Sequence, residues 1–264
     1  MVAMLVCACG STAGGGGGGG GGDGDAGGGG GGSLGARYLL YYEATGFTDP
    51  TTTPVCDTPS AFGSWTALLA PTPLDVRSDW PADLSPYRVV VFGFLGTGSG
   101  STGLAPAQHD ALVGWLHAGG TALFMTDIDF DDSLTHANSV LNALFVDLGV
   151  GVVIDGEDED PSYYALPLDP TQPLGAGVQP LACGTVTYAA VTAPAVRVDA
   201  TAPLPGKAVL ATQAVGAGRV VVLTDATCLS DYDYATGSPP IYADCATAST
   251  AGASLGAFLH ALGD

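Results

Sequence analysis

Arg88-Val-Val-Val-Phe-Gly-Phe94, a segment opening at Pro106, and Gly119-Gly120-Thr-Ala-Leu-Phe-Met-Thr126 together decide the architecture. The two aliphatic runs are short and lack polar alternation, so they read as strands buried on both faces, as in a parallel sheet. Between them Ala111, Leu112, Trp115 and Leu116 keep helical spacing. Pro106 suits a first helical turn, and Gly119-Gly120 supplies a left-handed cap. Strand, helix and strand in this order make a right-handed βαβ unit.

Working outward, Arg37-Tyr-Leu-Leu-Tyr-Tyr-Glu43 is an earlier strand of the same buried kind. Downstream, residues 138–148 place Leu141, Leu144, Phe145 and Leu148 on one helical stripe that stops at Gly149. From Val150 to Ala217 Pro and Thr become frequent, and residues 185–191, 195–199 and 207–212 read as short antiparallel strands of an inserted β-rich layer. Gly218 to Asp225 returns to the buried parallel type. Residues 254–262 close the chain with Leu255, Phe258, Leu259 and Leu262 on one helix face. The fold class that follows is α/β, a doubly wound, mostly parallel sheet over residues 36–264 with an inserted β-rich segment.

Residues 1–35 have a different character. Met1 to Ala8 is a short apolar run, and Val6-Cys7-Ala8-Cys9 resembles a bacterial lipobox, in which the last cysteine is lipidated and becomes N-terminal. The run is too short to cross a membrane, which takes about 20 apolar residues. The resemblance implies a lipoprotein signal over residues 1–9, a lipid anchor at Cys9, and a glycine-rich flexible tether over residues 10–35. The implied location is the cell envelope. Gly10 lacks the Asp often used for inner-membrane retention, which favours the outer membrane.

The chain carries 6 Lys+Arg against 26 Asp+Glu, a net charge of -20. Such a field repels phosphate backbones and excludes nucleic acid as a partner. In an exported chain the cysteines beyond the lipobox, Cys56, Cys183, Cys228 and Cys245, form two disulfides by default. Of the three possible pairings, Cys228 with Cys245 closes an irregular segment and leaves Cys56 for Cys183. None of the four has a zinc-ligand spacing.

Leu39-Leu-Tyr-Tyr-Glu-Ala-Thr-Gly-Phe47 resembles the opening strand and loop of trehalose-utilisation (ThuA-like) proteins, and Tyr87 to Phe94 through Gly119 to Phe124 resemble their next two units. Gln172 to Val178 and Val215 to Asp225 resemble the wider class I glutamine amidotransferase-like superfamily. That resemblance implies a flavodoxin-like sheet. It also implies a nucleophilic cysteine on a tight turn after the strand Ala122 to Thr126, where this chain has Asp127-Ile128-Asp129. No His-x-Glu pair stands near the carboxyl end, so the amidotransferase reaction lacks both its nucleophile and its triad.

In an open parallel sheet, ligands bind outside the carboxyl ends of the strands, where the strand order reverses. Four segments converge there: Glu43 to Phe47, the glycine-rich run Phe94 to Gly103, Asp127 to Asp132, and Asp225 to Asp233. The candidate ligand edge is Glu43, Thr45, Gly96, Gly98, His136 and Asp225. Asp127, Asp129 and Asp131 are spaced like the start of a calcium loop but lack its Gly and distal Glu. Calcium is the cofactor they would hold, and a solvated acidic rim is the plainer reading. His136 follows that loop as a candidate general base, with a polar helix-start residue the plainer reading. His109 and His117 face solvent beside the Trp115 stripe.

Two functions are consistent with these residues. The first is a membrane-anchored extracytoplasmic binding or scaffold module on a non-catalytic amidotransferase-like fold, recognising a cell-surface protein or glycan. The alternative is a sugar-active or metal-assisted hydrolase of ThuA-like type that uses Asp127, Asp129 and His136. The missing nucleophile and triad favour binding over catalysis.

Overall fold

The computed structural model describes residues 34–43, 65–93, 95–96, 101–126, 132–156, 164–183, 187–201, 207–229 and 250–264. Cys9 with its tether, Thr45, Cys56, Gly98, Asp127, Asp129, Asp131 and Cys245 lie outside them. The chain runs through β1 (Arg37–Tyr42), α1 (Trp65–Leu69), β2 (Leu74–Arg77), β3 (Tyr87–Gly93), α2 (Pro106–His117), β4 (Thr121–Met125) and α3 (Asp132–Asp147). It continues through β5 (Val152–Ile154), β6 (Tyr164–Leu166), β7 (Leu181–Cys183), β8 (Ala189–Val191), β9 (Arg197–Thr201), β10 (Lys207–Val215), β11 (Gly218–Leu223) and α4 (Thr250–Gly263).

The expected βαβ unit is present as β3, α2 and β4. Val90 pairs with Ala122, Val91 with Leu123 and Phe92 with Phe124, while β11 sets Val220, Val221 and Val222 beside the same three residues of β4. Because side chains alternate along a strand, this register gathers Val91, Leu123 and Val221 on one face and Phe92, Phe124 and Val222 on the other. The first face packs under Trp65 and Leu69 of α1 and Leu255, Phe258, Leu259 and Leu262 of α4. The second packs under Leu112, Trp115 and Leu116 of α2 and Leu141, Leu144 and Phe145 of α3. Helices therefore cover both faces, as non-alternating strands require.

The main sheet has the order β2-β1-β3-β4-β11-β10-β8-β5, with β9 also paired to β10. From β2 to β11 all neighbours are parallel; from β11 onward they are antiparallel. The β-rich segment thus differs from the separate layer expected of it. Its longest strand, β10, returns into β11 through the two-residue turn Gly216-Ala217, with Gly216 at φ 61°. Such a tight hairpin forces the antiparallel neighbour onto the edge of the parallel sheet. Among the described residues, only β6 and β7 form a sheet of their own. The third helix begins at Asp132, a turn and a half before residue 138, because its first turns carry no apolar stripe.

Gly119 and Gly120 have separate tasks at the end of α2. Gly119 adopts φ 105°, the left-handed conformation of a helix stop. Gly120 makes room for Trp115, whose ring would lie 2.3 Å from a Cβ placed there. That ring also donates its indole N–H to the Tyr87 carbonyl at 2.9 Å, tying α2 to the start of β3.

Tyr38 on β1 is 3% exposed and donates its hydroxyl to the Leu259 carbonyl of α4 at 2.8 Å. Burial, reinforced by the Asp264 charge, pushes its phenol up to about 12 from its ordinary 10.0. A group whose pKa is raised by folding adds stability fully present below the unfolded value and lost as pH rises through the folded one. Urea unfolding midpoints should accordingly fall between about pH 10 and about pH 12. Tyr38→Phe should cost about 1 kcal/mol at neutral pH and make the alkaline fall shallower. An alkaline fall of unchanged slope in Tyr38→Phe would refute this assignment. No described helix is long and apolar enough to cross a membrane.

Candidate functional site

Strand order reverses between β1 and β3, because the chain places β2 on one side of β1 and β3 on the other. The carboxyl ends of these two strands splay the following loops apart, which leaves the usual ligand crevice of an open sheet. Glu43 stands one residue past β1, at this point.

Its carboxylate is engaged on both oxygens. Oε2 accepts the Gly96 N–H at 3.0 Å, and Oε1 accepts the Ser101 hydroxyl at 2.9 Å. The Ser101 Oγ in turn accepts the Gly103 N–H at 3.1 Å. His136, exposed on α3, places Nε2 2.6 Å from the Ser101 carbonyl. A carbonyl only accepts, so that nitrogen carries the ring proton here. Gly96 and Ser101 are thus tied to Glu43, and Ser101 also to α3.

Glycine is needed where the loop meets α3. Gly96 has φ 94°, and a Cβ there would lie 2.9 Å from the Val140 Cβ and 3.1 Å from the Ala137 Cα. The expectation that Glu43, Gly96 and His136 share an edge therefore has a structural basis: Ser101 is the hub that joins them. Sequence reasoning passed over Ser101, which differs from its small polar neighbours only through tertiary contacts. The Gly96 N–H, a donor suited to an external anion, is taken by Glu43 instead.

An aromatic group borders the same edge. Trp80, half-buried beyond β2, meets Tyr41 edge-on at 5.3 Å and stacks on Phe92 at 6.1 Å. Burial raises the Tyr41 hydroxyl above its usual range, and the charges of Glu43 and Asp79 add to it.

On the far side of the loop, a cavity of about 460 Å³ opens between α2 and α3, lined by Leu95, Thr102, Gly103, His109, Val140 and Asp147 among others. His109 was expected to face solvent. Its Nε2 is instead buried and without a hydrogen-bond partner among the described residues, because the ring lies on the wall of this cavity. His117 is exposed, as expected.

Asp225 is separate from this group. It follows β11, three strands along from β1 in the sheet order, which at normal strand spacing is roughly 14 Å away. It is fully buried, with its carboxylate within 4.8 Å of the sulfurs of Cys183 and Cys228. Those sulfurs form a disulfide, so they offer no thiolate to a metal.

The disulfide also corrects the pairing expected from sequence. Cys228 bonds to Cys183 across 45 residues, in place of Cys228 with Cys245 and Cys56 with Cys183. The reason is topological: β7 packs against the short helical turn Ala226–Leu229 after β11, bringing the two Cα atoms to 4.1 Å.

No protein-family model matches the chain, and no curated protein does. Among solved structures it is similar to the mmIFT52 N-terminal domain, with 15% identity, a TM-score of 0.53, and coverage of 74% of this chain and 89% of that one. The cytoplasmic protein STM3548 from Salmonella typhimurium gives 16% identity, a TM-score of 0.53 and coverage of 79% and 95%. A putative ThuA-like protein from Bacteroides uniformis gives 13% identity, a TM-score of 0.46 and coverage of 74% and 84%. At such identities the first two likenesses concern the fold alone.

Proposed function

We propose that this chain is a membrane-anchored extracytoplasmic binding module on a flavodoxin-like, amidotransferase-related fold, and that it takes a neutral, hydroxyl-rich ligand such as a surface glycan at the edge formed by Glu43, Ser101, His136 and Trp80. The observation that carries the proposal is the double engagement of Glu43 with Gly96 and Ser101. A carboxylate that accepts a loop donor on each oxygen is committed to shaping that loop, which fits a structural role better than that of a mobile general base or nucleophile. One further point supports binding over acyl transfer: both described cysteines are joined in a disulfide. The net charge of -20 bears on the ligand instead, disfavouring anions near this carboxylate. Trp80 offers the partly exposed aromatic face against which sugar rings pack.

Anchoring and ligand binding are tested separately. The membrane fraction of bacterial cells should yield a chain beginning at a diacylglycerol-modified Cys9, and an intact mass beginning at unmodified Met1 would remove the anchor. For the ligand, neutral oligosaccharides should change tryptophan fluorescence through Trp80, since Trp65 and Trp115 are buried. Glu43→Ala should weaken that binding about tenfold or more by releasing the loop, while Glu43→Gln keeps an acceptor for Ser101 and loses less. Turnover of a glycoside that disappears in His136→Gln would replace this reading with the hydrolase alternative.

A further inference from the structure

Half of the chain's cations meet at one place. The six are Arg37, Arg77, Arg88, Arg197, Lys207 and Arg219. Arg37, Arg77 and Lys207 each pair with a carboxylate, Asp75, Asp79 and Asp155 respectively. The other three line a single cavity of about 350 Å³ at the amino ends of β3, β4 and β11, together with Thr121, Thr212 and Asp264. This is the end of the sheet opposite Glu43, so the site is independent of the ligand edge.

Two of the three guanidiniums have structural duties that leave donors over. Arg88 donates Nε to the Gly263 carbonyl at 3.1 Å and Nη1 to the Gly119 carbonyl at 3.2 Å. Arg219 donates Nε to Thr121 Oγ1 at 3.2 Å and Nη2 to the Ala261 and Leu262 carbonyls at 2.8 and 2.9 Å. The bonds to Gly263, Ala261 and Leu262 cap the carboxyl end of α4, those to Gly119 and Thr121 tie in α2 and β4, and none uses Arg88 Nη2 or Arg219 Nη1. Arg197 donates Nε to Asp199 at 2.8 Å, while its Nη2 is buried with no partner among the described residues.

A buried donor left unbonded costs free energy, and an exception of this kind calls for a missing acceptor. Like charges gathered in one cavity add to that cost: burial first, then the charges of Arg197 and Arg88, hold Arg219 below its usual value, with Asp199 and Asp264 opposing them. Buried Asp199 balances one of the three cations and is itself bonded to Thr212. Asp264 is the carboxylate-bearing residue among the described lining of the cavity.

We infer that this cavity is a binding site for a phosphate- or sulfate-type oxyanion, free or as the terminal group of a small ester, held by the Arg197 guanidinium on its wall with the spare donors of Arg88 and Arg219. Planar guanidinium groups on the wall of one cavity suit a tetrahedral oxyanion better than a single point charge would. The cavity exceeds the size of the anion alone, which leaves room for an ester's organic part. A chain so acidic overall concentrates its unpaired positive charge here, so the site selects its anion against the general field.

Thermal melting in inorganic phosphate, sulfate and glycerol 3-phosphate, each against sodium chloride at equal ionic strength, tests the inference. The oxyanions should raise Tm by several degrees at millimolar concentration and chloride should not. Glycerol 3-phosphate binding more tightly than phosphate identifies an ester; equal binding identifies the free anion. Arg197→Lys keeps the charge opposite Asp199 but loses the fork, and should weaken phosphate about tenfold. Should that variant melt too low to study, Arg197→Gln with Asp199→Asn neutralises the pair together and should abolish the shift. Asp264→Asn should tighten binding. Equal shifts from chloride and phosphate, an unaltered phosphate response in both Arg197 variants, or binding seen only in Asp264→Asn would overturn the site, the last because the chain's own carboxylate would then be its occupant.

Discussion

Phe124→Ala should lower the free energy of unfolding by about 3–5 kcal/mol, the cost of emptying a fully buried aromatic site. Phe124 has no exposed surface, stacks on Phe92 at 4.4 Å and meets Phe145 edge-on at 5.4 Å. One ring therefore joins β3, β4 and α3. The surrounding strands are pinned by parallel pairing on both sides of β4, so collapse into the vacancy is limited and the upper part of the range applies. A domain of this size loses roughly 2–4 °C of Tm per kcal/mol, giving a shift on the order of 10 °C. Val146→Ala, at a position 75% exposed on α3, is the control and should change stability little. A loss under 1 kcal/mol in Phe124→Ala, measured by urea titration, would mean that this stack is not the centre of the second core.

Removing the Cys183–Cys228 disulfide should cost about 4 kcal/mol, as the chain-entropy relation gives for a loop of this length. The bond closes 45 residues that contain β8, β9, β10 and β11, so it restrains the unfolded form of the whole antiparallel half of the sheet and its junction with β4. Cys183 is fully buried and Cys228 nearly so, which keeps both sulfurs from reductant while the domain is folded. The double variant Cys183→Ala with Cys228→Ala should therefore melt far below the parent in oxidising buffer, and the gap should close when the parent is unfolded and reduced. Peptide mass mapping under non-reducing conditions checks the partner directly. Recovery of a Cys228–Cys245 peptide would contradict the structure, and recovery of free thiols at both positions would mean that the domain folds in a reducing compartment.

Both effects bear on the functional edge through the sheet. Phe92 stacks on Phe124 from one side and on Trp80 from the other. Loss of the Phe124 ring should therefore loosen the aromatic border of the Glu43 site as well as the core. The disulfide acts at the other end of the same sheet edge, where it holds Asp225 in a dry environment away from the ligand crevice.

Sequence by itself determined the elements whose signal is local. Val89 to Phe92 and Ala122 to Met125 are strands because unbroken apolar runs demand burial on both faces. The stripe Leu255, Phe258, Leu259 and Leu262 is a helix face because its spacing admits no other regular structure. Even the place of Glu43 at the sheet edge follows from its position one residue after a buried strand. Tertiary structure alone decided what depends on residues distant in sequence. Ser101 became the hub of the candidate site through Glu43, 58 residues before it, and His136, 35 after it. Cys228 found Cys183, and Asp225 turned inward beside them, because β7 meets the end of β11 in space. Arg88, Arg197 and Arg219 are scattered among carboxylates in the sequence and gather only when three strand starts align. Periodicity reports which side of an element is buried; which elements then face one another is set by the packing of the whole chain.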